Sequence, residues 1–353
     1  MTADAKHKLG FGIIGCGSIS KWHANAVAAL EDGYLVGVTD YDAARAVSLA
    51  REYQCKAYAC VEDLLKSNEI DIVCICTPSG LHAEHAVMAA NAGKHFIVEK
   101  PVAITKEQIT RILAACEKNA VKGCVISQFR FSPAVQAVKK AIEDGSLGKI
   151  LVADLSMKYH RSPAYYQSSP WRGTRAMDGG GALMNQGIHG IDLLQYLVGS
   201  VRAVSGICKT LVHEIEVEDT ASLTVEYENG AIGSITGTTS LSHGYPRRIE
   251  INGTKGTVVL TEDSITLWEV NGTPPPLPPK QDADTASHND PSRVSMCNHE
   301  KQLKDMVAAI RQNRRPLVDL YEGKKAVEII LAAYESGRTG KRVILKDFSS
   351  CKI

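Results

Sequence analysis

The 353 residues carry 40 Lys and Arg against 39 Asp and Glu, a formal net charge of +1, which leaves no electrostatic footprint for nucleic acid or anionic lipid. A hydrophobic content of 44% with 22% charged residues suits an ordinary globular chain, and the length calls for two domains rather than one core. No apolar run approaches the ~18 residues of a membrane helix, so neither a span nor a membrane partner is expected.

The first 127 residues alternate short apolar runs with amphipathic stretches, the pattern of a parallel sheet with helices on both faces. Strands are predicted at 9–14, 35–39, 70–76, 96–98 and 123–127. Helices are predicted at 19–30, 43–53, 61–66, 82–92 and 105–118, the fourth stopping at Gly93. Beyond residue 128 the pattern changes. A helix at 133–144 and a strand at 150–159 precede a glycine-flanked helix. Strands then follow at 201–211, 220–227, 230–238, 247–252, 256–260 and 264–269, parted by turn signals such as Glu228-Asn229-Gly230 and Asn252-Gly253. Ile, Val and Thr on both alternations of these strands predict a large antiparallel or mixed sheet with one open apolar face, hence a homo-oligomer, dimer or tetramer, through that face. Residues 271–295, with Pro274-Pro275-Pro276 and Pro278-Pro279, read as a surface loop, and 300–311 and 322–337 as closing helices. The fold class is α/β: a doubly wound parallel-sheet domain over 1–127, then an α+β domain with a large open, mostly antiparallel sheet over 128–353.

Ten cysteines are scattered without a C-x-x-C pair, and Cys74 and Cys76 alternate in an apolar strand as small hydrophobes. This predicts reduced thiols in a cytoplasmic protein, with no metal site and no disulfide framework. The polar segment 1–8 lacks the apolar core of a signal peptide.

Gly15-Cys16-Gly17-Ser18-Ile19-Ser20 follows the first strand and opens the first helix as G-x-G-x-x-S. Glycines there allow a tight turn and close approach of backbone to a pyrophosphate at a helix N-terminus, so Gly15, Gly17, Ser18 and Ile19 are expected to hold a dinucleotide. Ser20, small but not Gly or Ala, should still permit helix–strand packing. Asp40 ends the second strand, where a carboxylate accepts from the adenosine ribose hydroxyls and repels a 2′-phosphate. NAD is therefore expected over NADP, although Arg45 lies nearby; Asp42 serves as the cap of the next helix. Thr77, Pro78 and His82 occupy the loop after the third strand, expected against the nicotinamide half. The run His95–Val98 ends in Glu99-Lys100-Pro101, which places a lysine at the carboxyl edge of the sheet, where ligands bind. Glu99 and Lys100 complete the candidate cofactor set.

Gly179–Asp192 contains the second informative pattern, a glycine turn opening a helix. Asn185 and His189 stand at i and i+4 on one face, with Asp192 three further on. A polar row cutting through Leu183, Ile188, Ile191 and Leu194 is costly to bury unless it is satisfied or used. One reading is a core histidine bonded to Asp192; the other is a catalytic face.

Thr77-Pro78-Ser79-Gly80-Leu81-His82, then Ala92–Pro101, then Gly-Gly-Gly-x-Leu-x-Asn-x-Gly-x-His-x-x-Asp together resemble the glucose–fructose oxidoreductase, inositol dehydrogenase and rhizopine-catabolism (Gfo/Idh/MocA) family. The resemblance covers nearly the whole chain and implies a Rossmann domain followed by an α/β domain on a large open sheet. It implies oxidation or reduction of one carbinol of a sugar or cyclitol with NAD or NADP, Lys100 and His189 serving the reacting hydroxyl. Inositol dehydrogenase-like members carry Asp where this chain has Asn185; an amide positions a hydroxyl but exchanges no proton at neutral pH. The Met-Asn-Gln-Gly-Ile-His variant resembles members acting on nucleotide-linked sugar acids, such as UDP-N-acetylglucosaminuronate 3-dehydrogenases. The expected catalytic pair is Lys100 and His189. Tyr159, Trp171, Arg172 and Asn185, with Arg161 and Arg175 beside them, are candidates for a substrate wall, because aromatic and guanidinium groups suit sugars, carboxylates and phosphates. Two other readings stay open: redox-neutral chemistry through transient oxidation, and a non-catalytic NAD-binding regulator.

Overall fold

A computed structural model of the chain describes residues 8–272, 274–277 and 297–350. It divides into two compact units. One comprises residues 1–128 and 295–324, the other 129–294 and 325–353.

The first unit is built on β1 (Leu9–Ile14), β2 (Gly33–Thr39), β3 (Lys56–Ala57), β4 (Ile72–Ile75), β5 (His95–Val98) and β6 (Gly123–Val125), a parallel sheet in the order β3-β2-β1-β4-β5-β6. This is the doubly wound order, whose direction reverses between β1 and β4. Its inner strands are almost wholly apolar because helices cover both faces: α1 (Ser20–Ala28), α2 (Ala43–Glu52), α3 (Val61–Leu65), α4 (His82–Asn91) and α5 (Lys106–Asn119). Thr105 caps α5 by accepting from the Gln108 N–H at 3.3 Å.

The sequence pattern assigns everything beyond 128 to one domain, but 295–324 returns to this unit. The reason is burial. Leu303, Met306 and Val307 are core residues packed with Phe11, Val27 and Leu30. The Gln302 side chain also satisfies the sheet edge, donating to the Val125 carbonyl at 2.7 Å and accepting from the Ser127 N–H at 3.0 Å.

The second unit begins with α6 (Pro133–Glu143), β7 (Ile150–Lys158) and α7 (Pro163–Gln167), followed by a π-helical turn (Ala182–Gly187) that runs into α8 (Ile188–Val198). Next come β8 (Val201–Lys209), β9 (Thr220–Tyr227), β10 (Ile232–Thr238), β11 (Arg248–Gly253), β12 (Gly256–Thr261) and β13 (Ser264–Val270). α9 (Cys297–Arg311) belongs to the first unit, α10 (Leu320–Thr339) passes from one unit to the other, and β14 (Val343–Ile344) ends the sheet. The strand order is β13-β12-β11-β7-β10-β9-β8-β14, antiparallel except where β10 runs parallel to β7. Pro274, Pro275 and Pro276 are exposed, as a surface loop requires; Pro278, Pro279 and the remainder of the proposed loop to 295 lie outside the described residues.

One expectation is corrected here. The strands of this sheet are not apolar on both alternations. On β9, Ala221, Leu223, Val225 and Tyr227 are buried, while the outward positions are Thr220, Ser222, Thr224 and Glu226. Exposed apolar side chains on the strands are scattered: Leu151, Ile207, Ile232 and Ile344. Thr and Ser satisfy β-propensity without an apolar face, so composition alone could not tell the two cases apart.

Candidate active site

In the parallel-sheet unit, the loops after β1, β4 and β5 carry the sequence signals. Gly15 holds φ +94°, and a Cβ there would stand 2.8 Å from the Cys76 carbonyl, so conformation and close approach both require glycine. Gly17 is different. A Cβ on it would meet nothing within 4 Å, and the turn thus opens onto free space of the kind a pyrophosphate needs. The residues present therefore fit a dinucleotide. Ser18 is exposed and Ile19 half-buried on the same turn. Ser20 is buried and its hydroxyl donates to the Gly17 carbonyl at 2.6 Å, which closes the first helical turn.

Asp40 ties this turn to the second strand. One carboxylate oxygen accepts from the Cys16 N–H at 2.6 Å, the other from the Asp42 N–H at 2.8 Å. Asp42 caps α2 by accepting from the Ala44 N–H at 3.0 Å. Arg45 turns to Asp42 at 3.4 Å, with both side chains largely in water. The Cys16 thiol is pushed up to about 12 by burial and then by the Asp40 charge, so it is inert at neutral pH.

His82 and Glu99 stand differently from the sequence expectation. Both are buried and bond protein groups that link the loops. The His82 ring spans the Pro101 carbonyl (Nδ1, 2.6 Å) and the Thr77 carbonyl (Nε2, 2.8 Å), joining the loop after β4 to the end of the lysine motif. Two carbonyl acceptors favour the imidazolium. Burial opposes it and is the larger effect, so the His82 pKa lies below its usual value. Glu99 lies 2.9 Å from His23 Nε2 through one oxygen and accepts the Lys100 N–H at 3.2 Å through the other. Burial would raise the Glu99 carboxyl, but the His23 bond and charge outweigh it and hold the pKa down at about 2. Burial likewise opposes charge on His23, whose pKa nevertheless stands well above the usual value. The adjacent Cys76 thiol, at about 11 through burial, is neutral, so Glu99 is the anion that holds that proton. Lys100, half-buried, thus leaves a strand end fixed by a buried ion pair.

In the second unit, Asp178 precedes the glycine triplet, and Glu218, on the approach to β9, organises it. The Glu218 carboxylate accepts from the Gly181 N–H at 3.0 Å, the Leu183 N–H at 2.8 Å and the Tyr334 hydroxyl at 2.9 Å. A Cβ on Gly181 would stand 2.0 Å from the Glu218 carbonyl oxygen, which explains the glycine. The backbone then takes the π-helical turn, where the pattern predicts an ordinary helix; the Gln186 N–H reaches the Gly181 carbonyl, five residues back, at 3.3 Å.

The row Asn185-His189-Asp192 makes contacts with three different groups. Asn185 Nδ2 donates to Asp178, whose other oxygen accepts the Gly173 N–H at 2.8 Å. A carboxylate is thus present directly behind the amide, from a position the family pattern does not mark. His189 is half-buried, edge-on to Phe129 with ring centres 5.2 Å apart. Asp192 is committed to Arg130, which donates through Nε at 2.8 Å and Nη2 at 2.6 Å. The core reading pairs Asp192 with His189, but its carboxylate bonds Arg130 instead.

Of the proposed substrate wall, Tyr159 is corrected. It is 7% exposed, presents almost no surface, and instead lies under Arg161, whose guanidinium carbon is 5.6 Å from the ring centre. Arg175 is engaged with Glu216, its N–H donating to Oε2 at 2.9 Å. Trp171, Arg172 and Asn185 are half-buried, and Arg172 lies over both Trp171 (4.7 Å) and Tyr165 (4.3 Å). Sequence reasoning missed Tyr165, Gln186 and Asp178. Asp178, beside the glycine triplet, carried the one signal that could have been read.

Residues 9–127 match the family model described as an oxidoreductase family with an NAD-binding Rossmann fold, and residues 135–259 match the GFO/IDH/MocA C-terminal domain. An inositol 2-dehydrogenase of Rhizobium meliloti is 30% identical over 278 residues, 76% of this chain and 81% of its own. The WlbA dehydrogenase of Bordetella pertussis, solved with NADH and UDP-GlcNAcA, superposes with a TM-score of 0.86 at 32% identity, covering 96% of this chain and 99% of that one. A levoglucosan dehydrogenase solved with NADH and levoglucosan gives 0.85 at 25% identity, covering 96% and 100%. The chain belongs to the GFO/IDH/MocA family of NAD-binding oxidoreductases.

Proposed function

We propose that this protein transfers a hydride between nicotinamide and a secondary hydroxyl of a sugar, a cyclitol or a nucleotide-linked sugar acid, with NAD preferred over NADP. The observation that carries the reading is Lys100, a half-buried ammonium at the carboxyl end of β5, whose backbone is fixed through Glu99 and His23 beside the glycine turn. Its relatives named above, solved with NADH and a sugar or nucleotide sugar, support the same class.

The cofactor supplies the hydride acceptor when bound; Gly15, Gly17, Ser18 and Ile19 would hold its pyrophosphate, Asp40 its ribose, and Thr77 and Pro78 its nicotinamide half. Asp40 keeps lone pairs for ribose hydroxyls beyond the two N–H groups it accepts, and its charge repels a 2′-phosphate. The remaining work is proton handling. His189 accepts the hydroxyl proton, and Lys100 polarises the oxygen. Asn185, held by Asp178, positions the hydroxyl. A homo-oligomer and residence in the cytoplasm complete the reading.

Steady-state oxidation of a panel of sugars, cyclitols and nucleotide sugars, followed as NADH absorbance, tests it. Lys100→Met and His189→Ala should each lower kcat by roughly 10²–10⁴-fold while NAD binding persists. NAD binding with no turnover of any panel member, or wild-type kcat in either variant, refutes it.

A further inference from the structure

Tyr165, Arg161, Arg172 and Gln186 form a polar cluster in the second unit that no part of the hydride chemistry requires. Every donor of the Gln186 amide is placed: its oxygen accepts from Arg161 Nε at 3.0 Å, and its nitrogen donates to the Tyr165 hydroxyl at 2.6 Å and to Asn185 Oδ1 at 3.1 Å. Arg172 Nη1 donates to the same Tyr165 hydroxyl at 2.5 Å, and Nε donates to Ser168 Oγ at 3.1 Å. The Tyr165 oxygen therefore receives two N–H donors, and its own O–H hydrogen is left to donate elsewhere. Burial first, among several neighbours, raises the Tyr165 pKa and keeps that hydrogen in place.

Charge distinguishes Arg172 within the cluster. Its guanidinium lies over both the Trp171 and Tyr165 rings and is half-buried, yet among the described residues it forms no ion pair with a carboxylate. The carboxylate in the same network, Asp178, is taken up by the Gly173 N–H and Asn185. A stacked, pre-oriented guanidinium with spare donors beside a donating phenol is a planar fork suited to an oxyanion rather than to a neutral hydroxyl. The network runs unbroken from Arg172 through Tyr165 and Gln186 to Asn185, so the oxyanion would sit on the same small molecule that Asn185 positions.

We propose that Arg172 and Tyr165 form an oxyanion subsite, so that the physiological substrate carries a carboxylate or phosphate group close to the reacting hydroxyl. This deepens the proposed function and rests on it for the identity of the bound molecule. The test uses matched pairs that differ in charge at one carbon: UDP-GlcNAcA against UDP-GlcNAc, glucuronate against glucose, and glucose 6-phosphate against glucose. Binding to the full chain is measured by calorimetry with NADH present, independently of turnover, for wild type, Arg172→Met and Arg172→Lys. In wild type at least one anionic member binds more tightly than its neutral counterpart. Arg172→Met reduces that ratio by roughly 10- to 100-fold, the value of a charge-assisted hydrogen bond, and Arg172→Lys restores part of it. The uronate and phosphate arms separate a carboxylate from a phosphate ligand. Thermal unfolding of each variant verifies the fold, and Tyr165→Phe gives a second reading that leaves the guanidinium in place and should lower the same ratio. The subsite is overturned if no anionic probe binds more tightly than its partner, or if Arg172→Met weakens both members of each pair equally. Charge-selective binding without turnover would instead sink the proposed reaction while keeping the subsite.

Discussion

Asp192→Asn removes one charge from a pair that is sealed in the second unit. Arg130 is 0% exposed and Asp192 3%, and the guanidinium makes a two-bond fork on the carboxylate while lying 4.6 Å over the Tyr196 ring. Such a pair adds little relative to an apolar substitute, because desolvation consumes the attraction. Breaking it is another matter. An asparagine leaves a buried guanidinium facing an amide whose NH₂ group cannot accept, which costs about 3–5 kcal/mol by the behaviour of buried pairs. In a unit of this size that lowers Tm by about 6–20 °C, at ~2–4 °C per kcal/mol. Scanning calorimetry and urea unfolding of the full chain measure the loss, and the double variant Arg130→Met/Asp192→Leu should recover most of it. A loss under ~1 kcal/mol in Asp192→Asn would mean that water reaches the pair, and the reasoning that takes Asp192 away from His189 would fall with it.

His299 is 1% exposed, edge-on to Trp22 with ring centres 5.4 Å apart, and burial is the chief cause that pushes its pKa down to about 4. The unfolded chain binds a proton there below about 6.5 and the folded chain does not until about 4, so stability falls as pH drops through that window, by up to ~3 kcal/mol. His299→Phe should flatten this part of the profile in urea titrations; an unchanged acid slope would exclude His299 as its source. Glu99, depressed to about 2, adds a further loss between about 4.5 and 2, so acid unfolding of this unit should continue below the His299 window in the same variant. Gly15→Ala forces a Cβ at φ +94° against the Cys76 carbonyl, and should cost about 1–3 kcal/mol and weaken NAD binding in fluorescence titration. Asp40→Ser should narrow the NAD-over-NADP ratio; tighter NADP binding by the wild type would defeat the charge argument for Asp40.

Local chemistry was legible wherever the signal and its target lie close in the chain. The G-x-G turn, the strand ending at Lys100 and the apolar strand runs are period and punctuation, and the backbone obeys them because steric limits at Gly15 and the two-residue strand period act over a few residues. Asp42 as the α2 cap is of the same kind. The partners of buried charges are not. Asp192 finds Arg130 across 62 positions, His23 finds Glu99 across 76, and Tyr334 reaches Glu218 across 116. No period connects such residues; each pair exists because desolvation makes an unpaired buried charge intolerable, and only the packed chain decides which opposite group is near. The same reason sent 295–324 back to the parallel sheet, where Leu303, Met306 and Gln302 meet an apolar face and an open strand edge that the first 128 residues cannot cover alone.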